Sequence, residues 1–417
     1  MAQLSDDVFA FGGELMRIED ALERVAARVP PIAETEVVTL VEADGRVAAV
    51  DLVAPVDLPP FDNSAVDGYG VAHTALAPQG ATEVAVVGRI AAGHGAGHEA
   101  VGGTAVRIFT GAPMPVGCDT VFMQEDVVVL DDGRVRLPAG LKRGANVRPR
   151  GEDVARGSPV LEAGRRLDAR DVALLAALGV DRLEVRRRPR VAVFSTGDEI
   201  REPGTPLGPA SLYDSNRFSL MAMLRGAGCV VTDLGILRDD LDETARRLGA
   251  AADEHDLIVT SGGVSTGEED HVKAAVEARG ALHFWRLAIK PGRPVAMGTI
   301  GGAAFVGLPG NPVAVFVTWA HVLRPIVAAL AGARVAPVPR QTVVADFTYR
   351  KKPGRREYVR VSLAAQEGRT IARKYPVDGA GVLTSLTRTD GLVELAEETT
   401  TVAPGDLVPY LDYRLIL

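Results

Sequence analysis

From Arg190 to about Leu330 the chain alternates short apolar runs with helical patterns: RVAVFSTG, NRFSLMAMLRGAG, CVVTDLGIL, DDLDETARRLGAAA, DLIVTSGG, EEDHVKAAVEARG, HFWRLAIKPG and AAFVGLPG, then one long helical stretch from about Pro312 to Leu330. Strands that are apolar almost throughout must be covered on both faces, and parallel neighbours need helical crossovers. The rhythm therefore predicts a parallel α/β sandwich in this third of the chain.

The flanks have other patterns, and 417 residues exceed what one ordinary core organises. Residues 14–28, ELMRIEDALERVAAR, set Leu15, Ile18, Leu22 and Val25 at helical spacing, closed by Pro30 and Pro31. DARDVALLAALGV repeats that pattern, with Asp168 as N-cap and Gly179 as stop. Pairing of the two helices would build one N-terminal domain from residues 1–57 and 151–188. Between them, EVAVVGRI, TAVRIFTGA and CDTVFMQEDVVVL read as strands of an inserted all-β domain, 58–150. The α/β domain then takes 189–334, and TVVADFTYR, EYVRVSL and GLVEL predict a C-terminal β domain over 335–417.

Composition excludes several classes. With 47% hydrophobic and 24% charged residues the chain is a folded one. A net charge of −8 argues against a nucleic-acid partner, and the basic run RRRPR, 186–190, reads as a solvated hinge. Cys118 and Cys229 offer neither zinc spacing nor a disulfide framework, which fits a reducing cytoplasm. The N-terminus lacks a signal-peptide pattern, and no run approaches the roughly 18 apolar residues that span a bilayer, so a soluble protein without a membrane partner is expected.

In open α/β sheets ligands bind beyond the carboxyl ends of the strands. The residues expected there are Ser195-Thr196-Gly197-Asp198-Glu199, Thr260 to Asp270, Lys290-Pro291-Gly292-Arg293-Pro294 and Leu308-Pro309-Gly310-Asn311-Pro312. Hydroxyls and amides suit oxyanions, carboxylates suit a hard cation, and Lys290 and Arg293 suit residual negative charge. Ser261 to Thr266, with Gly262, Gly263, Ser265 and Gly267, reads as a phosphate cradle or else as a mobile connection. Asp270 reads equally as a metal ligand or a helix-start residue. Lys290, between an apolar run and Pro-Gly, is expected to touch a ligand. Gly263 to Gly267 also satisfies the G-x-S-x-G elbow of a serine hydrolase, with Ser265 as nucleophile and His283 or His321 as nominal base. His94 and His98 are expected in an exposed loop. PPFDNSAVDGYG, 59–70, is dense in turn residues, yet Phe61 and Tyr69 bracket two acids, which favours a binding role.

FDNSAVDGYG, RIFTGAPMPVGCDTV, RGEDV, FSTGDEI, TSGGVSTGEEDHVK, LAIKPGRPV and GLPGNPVA follow the order and spacing of the molybdopterin molybdenumtransferase family, that of bacterial MoeA proteins and the gephyrin E-domain. The chain resembles that family over its whole length. The resemblance implies an enzyme that takes adenylylated molybdopterin, inserts molybdate at the dithiolene sulfurs and releases AMP with Mg2+ assisting. It also implies an elongated homodimer whose site lies between the α/β domain of one subunit and the β domain of the other.

By resemblance, Asp62, Glu199, Lys290 and Asp270 carry the chemistry, and Asp270, Glu199 and Asp153 serve the metal. Asn63, Ser64, Asp67, Thr110, Arg286, Arg293, Pro309, Pro312, Arg360 and Ser385 join the strand-end residues Ser195, Thr196, Gly197, Asp198, Ser261, Gly262, Gly263 and Ser265 in binding substrate. Arg286 stands where well-known bacterial members have lysine, and a planar fork meets oxyanions differently from an ammonium. Both readings expect one cleft in which Mg2+, Lys290, Arg286 and Arg293 offset the repulsion between pyrophosphate and molybdate. The alternatives are the serine hydrolase, a non-catalytic scaffold of the same fold, and the adenylyltransferase acting one step earlier. The last lacks the β insertion, and is expected instead as a transient partner.

Overall fold

The computed structural model describes residues 15–26, 29–95, 100, 102–238, 240–263, 271–334 and 337–417. At its centre is a six-stranded sheet in the order Val230–Leu237, Arg190–Thr196, Leu257–Ser261, Ala303–Leu308, Pro294–Ile300, Gly280–Arg286. The first four strands are parallel. Pro294–Ile300 runs against both of its neighbours, which corrects the all-parallel expectation. The reason is local: Gly301-Gly302 joins it to Ala303–Leu308 in a two-residue turn, and such a turn joins only antiparallel strands.

Alternate residues of each strand enter two separate cores. Val191, Val193, Leu257, Val259, Val306 and Leu308 pack toward Asn216–Gly226 and the long Pro312–Leu330 helix. Ala192, Phe194, Ile258 and Phe305 pack toward Leu241–Glu254 and His271–Glu277. Burial on both faces is why these strands are apolar throughout.

The Pro312–Leu330 helix is itself 19 residues long and apolar enough to cross a membrane, contrary to the expectation that no run reaches that length. Its apolarity is that of a core element, since 72% of its 18-residue apolar window is buried inside the protein. Trp319 is wholly buried, and its Nε1 donates to the Ile416 carbonyl at 2.8 Å.

The two N-terminal helical patterns do not pair. Ile18 and Ala21, on Ile18–Ala26, join the core of the long helix with Ile326 and Val327. Leu175, on Ala169–Ala177, packs instead with Val38, Leu161 and Leu183. What joins the flanks is strand pairing, Thr35–Thr39 with Arg182–Arg186 and Leu52–Val53 with Pro159–Leu161. Asp168 caps its helix by accepting from the Arg170 and Asp171 amides, and Gly179 follows with φ +77°. The RRRPR run is not a solvated hinge: Arg187 forks onto Asp256 at 2.9 and 3.0 Å, and Arg186 donates to the Ile32 and Ala33 carbonyls.

The intervening β region holds a four-stranded sheet that includes Gly68–Val71 and a three-stranded one. At the C-terminus five strands close into a barrel, because Arg356–Gln366 pairs with both Arg369–Lys374 and Gly391–Leu395. Ile289–Lys290 adds to that barrel, parallel to Arg356–Glu357. HFWRLAIK is therefore one strand ending at Arg286 and a second that belongs to another sheet.

Candidate functional site

Beyond the carboxyl ends of Arg190–Thr196 and Leu257–Ser261 lies a cavity of about 540 Å3, lined by Ser195, Thr196, Glu199, Asp214, Asn216, Ser261, Gly262, Gly310, Asn311 and Pro312 among others. Asn216 Nδ2 donates to Ser261 Oγ at 2.8 Å and to the Gly310 carbonyl at 2.7 Å, tying two loops together. Ser261 Oγ in turn donates to the Pro309 carbonyl at 3.2 Å. Gly262 and Gly263 have φ of +88° and +62°, and a Cβ on Gly263 would lie 2.3 Å from Thr196 Cγ2. Only glycine fits where two loops approach so closely. Gly197, at φ +129°, has the Glu199 carboxylate folded beside it, while Asp198 gives its carbonyl to Arg201.

Under this cavity Arg217 is 1% exposed and binds Asp214, Glu202 and Asp233 together. Burial works against its charge, but three carboxylates outweigh that and hold the guanidinium protonated. Asp214, which also lines the cavity, is thereby fixed from below.

A second cavity, of about 420 Å3, opens between the Lys290-Pro291 turn and the C-terminal barrel. Four cations line it, Lys290, Arg350, Arg360 and Lys374. Against them stand Asp378, bonded to Lys374 at 2.8 Å, and the buried Glu357. Two positive charges are left over. Glu357 Oε2 accepts from Lys290 Nζ at 3.1 Å and from the Tyr349 hydroxyl at 2.8 Å. Burial, then the adjacent Glu357, push the Tyr349 phenol up. Arg360 donates to Ser385 Oγ at 3.0 Å and to the Gly379 carbonyl at 2.7 Å, so Ser385, wholly buried, acts from behind it. Arg293 is held below the usual guanidinium range by burial and by the neighbouring charges of Arg355 and Arg286.

Lys290 and Arg360 thus line a different cavity from Ser195, Glu199 and Ser261, where one shared cleft was expected. The two adjoin across one segment: Gly379 and Ala380 line the second, Gly381 and Leu383 the first. The chain reversal explains the split, because Lys290 is drawn into the barrel's sheet instead of ending a strand of the central one.

The motif at 59–70 lies in neither cavity. Asp67 Oδ1 accepts from the Thr110 amide and hydroxyl, each at 2.8 Å, and these bonds lower its pKa. Asp62, exposed, accepts from the Arg150 amide at 2.7 Å. Asn63 and Ser64 are buried and bonded to the Phe61 and Val66 carbonyls. Asp153 is exposed beside Leu58 and does not join Glu199 within the chain.

Three stretches match family models: residues 16–179 the MoeA N-terminal region (domain I and II), 192–329 a probable molybdopterin binding domain, and 342–413 the MoeA C-terminal region (domain IV). The chain is 36% identical to the Molybdopterin molybdenumtransferase of Haemophilus influenzae over 97% of this chain and 100% of that one. The chain belongs to the MoeA family of molybdopterin molybdenumtransferases. Molybdopterin molybdenumtransferase 2 of Mycobacterium tuberculosis is 35% identical over 94% of this chain and 98% of its own. The molybdopterin biosynthesis moeA protein of Pyrococcus horikoshii superposes with a TM-score of 0.81 at 28% identity, covering 96% and 100% of the two chains.

This membership gives the serine hydrolase no support, and neither histidine could serve it. His321 is stacked on Tyr358 at 4.4 Å inside the core, and burial, then Arg340, push it down to about 3. His283 lines an apolar cavity beside Val29 to Ile32, away from Ser261. Ser265, Asp270 and His98 lie outside the described residues; His94 is exposed as expected. Sequence reasoning missed Asn216, Asp214 and Arg217, which the stretch YDSNR advertises as polar residues opening an apolar helix, and Glu357, in REYVR, which carried no signal by itself.

Proposed function

We infer that the chain inserts molybdenum from molybdate into adenylylated molybdopterin and releases AMP, the last step of molybdenum cofactor biosynthesis. The observation that carries this is the pair of adjoining cavities, one rich in hydroxyls and amides, the other with two surplus positive charges. Loop amides and hydroxyls at Ser195, Thr196, Ser261 and Gly262 hold the phosphate-bearing tail. Lys290 and Arg360 hold the molybdate dianion, whose charge the second cavity balances.

Mg2+ keeps several waters and needs only one or two carboxylates beside substrate phosphates. Glu199, in the first cavity, fits such a role, and among the described residues no cluster of three or more ligating side chains demands a different metal. Asp270 would be its companion. The ion would neutralise the phosphate oxygens. In a homodimer the exposed Asp62 and Asp153 of one protomer face the cavities of the other; light scattering in solution tests the dimer. A cytoplasmic location suits two free thiols, both pushed up to about 12 by burial, and cell fractionation checks it. Transient contact with the adenylyltransferase would pass on the labile adenylylated pterin, and cross-linking of the purified pair tests that.

The deciding assay is AMP release from adenylylated molybdopterin with and without molybdate and Mg2+. Lys290→Ala should raise the KM for molybdate about tenfold, the loss of one charged contact, with the KM for the pterin unchanged. Folded protein that releases no AMP would instead make the chain a scaffold.

A further inference from the structure

We propose that Glu357 is a positioning residue, holding the Lys290 ammonium at the mouth of the cation-lined cavity and so setting the affinity for molybdate. The inference rests on the reading of that cavity as the molybdate site. Three observations carry it.

Register comes first. Lys290 and Glu357 are direct partners in the parallel pairing that joins the Lys290-Pro291 turn to the barrel, so both side chains leave the same face. Anchoring comes second. The Glu357 side chain is 2% exposed and is fixed by other donors, the Tyr349 hydroxyl at 2.8 Å and Arg355 at 3.2 Å, which leave it one direction in which to receive Lys290. Freedom comes third. The Lys290 side chain is 54% exposed, and a lysine stem in solvent samples many rotamers, so a bond to a rigid carboxylate decides where its charge sits. Glu357 is too deeply buried to meet the anion itself. Its effect passes through Lys290.

Position and charge predict opposite outcomes for one substitution. Glu357→Gln removes a negative charge and leaves the cavity with three surplus positive charges instead of two. If net charge governed affinity, the KM for molybdate would fall. If position governs it, the ammonium loses its charged anchor and the KM rises, about tenfold for one charge-assisted bond. Glu357→Asp keeps the charge but withdraws it by one methylene, so its KM should lie between.

The experiment measures AMP release against molybdate for the parent, Glu357→Gln, Glu357→Asp, Lys290→Ala and the Lys290→Ala/Glu357→Gln double variant, with thermal melts as folding controls. Expected are a raised molybdate KM in all three single variants, an unchanged pterin KM, and no further rise in the double variant over Lys290→Ala. A Lys290→Ala protein with the parent's molybdate KM would overturn the reading of the cavity. A raised KM in Lys290→Ala with an unchanged or lowered one in Glu357→Gln would overturn the positioning role alone. Should Glu357→Gln not fold, Glu357→Asp carries the test, and a parental molybdate KM in it refutes the proposal.

Discussion

Arg217→Met removes the cation beneath the first cavity while keeping most of the side chain's length. In the parent, one guanidinium that is 1% exposed neutralises Asp214, itself 4% exposed, along with Glu202 and Asp233. Without it Asp214 becomes a buried carboxylate with no counter-charge. Breaking a buried pair from one side costs about 3–5 kcal/mol, mostly the desolvation of the orphaned charge. For a domain of this size that is a fall of roughly 10 °C in the melting of the α/β unit. Calorimetry at neutral pH reads it directly, with AMP release at low temperature as companion. The pterin KM should rise, because Asp214 lines the cavity and Asn216, two residues further along the chain, ties the Ser261 and Gly310 loops. The molybdate KM should not. A melt within two degrees of the parent, taken as roughly 1 kcal/mol or less, would mean the three carboxylates find other partners and the reasoning is wrong.

Gly263→Ala places a Cβ 2.3 Å from Thr196 Cγ2 at φ +62°, so kcat/KM for the pterin should fall at least about tenfold while the melt of the barrel is unmoved. Asp256→Asn loses the fork from Arg187 and should destabilise the protein by about 1–2 kcal/mol at neutral pH, measured by denaturant titration. Burial acts to raise the Asp256 pKa, but Arg187 and the Arg190 amide outweigh it and hold it below the usual range. Stability from this carboxylate is therefore complete above an unfolded value of about 4 and fades as pH falls through the lowered folded one, so parent and variant should converge once the pH lies below the folded value. Asp168→Ala removes the cap of Ala169–Ala177 and should speed amide exchange in its first turn, at a cost of about 1 kcal/mol.

The strand and helix rhythm after Arg190 was legible because period and burial are properties of consecutive residues. So were the cap at Asp168 and the tight loops at Gly262 and Gly263, whose conformations few other residues accept. Less legible was the reversed strand Pro294–Ile300, although IGGA is a hairpin signal in plain view. The 19-residue apolar helix shows the limit of composition, since the same residues suit a lipid interior and a protein core, and only the surrounding sheet and barrel decide between them.

The sequence alone determined which residues could serve the chemistry: the family's motifs, the strand-end hydroxyls and glycines, Lys290 and Arg360. Tertiary structure decided how they are shared out. It drew Lys290 out of the central sheet and into the barrel's, set it on a buried Glu357 that lies 67 positions away in the chain, and placed the strand-end hydroxyls and the barrel's cations around two separate cavities. Hydrogen-bond registers between distant segments fix those facts, and no local pattern encodes a register whose two halves are joined only when the domains pack.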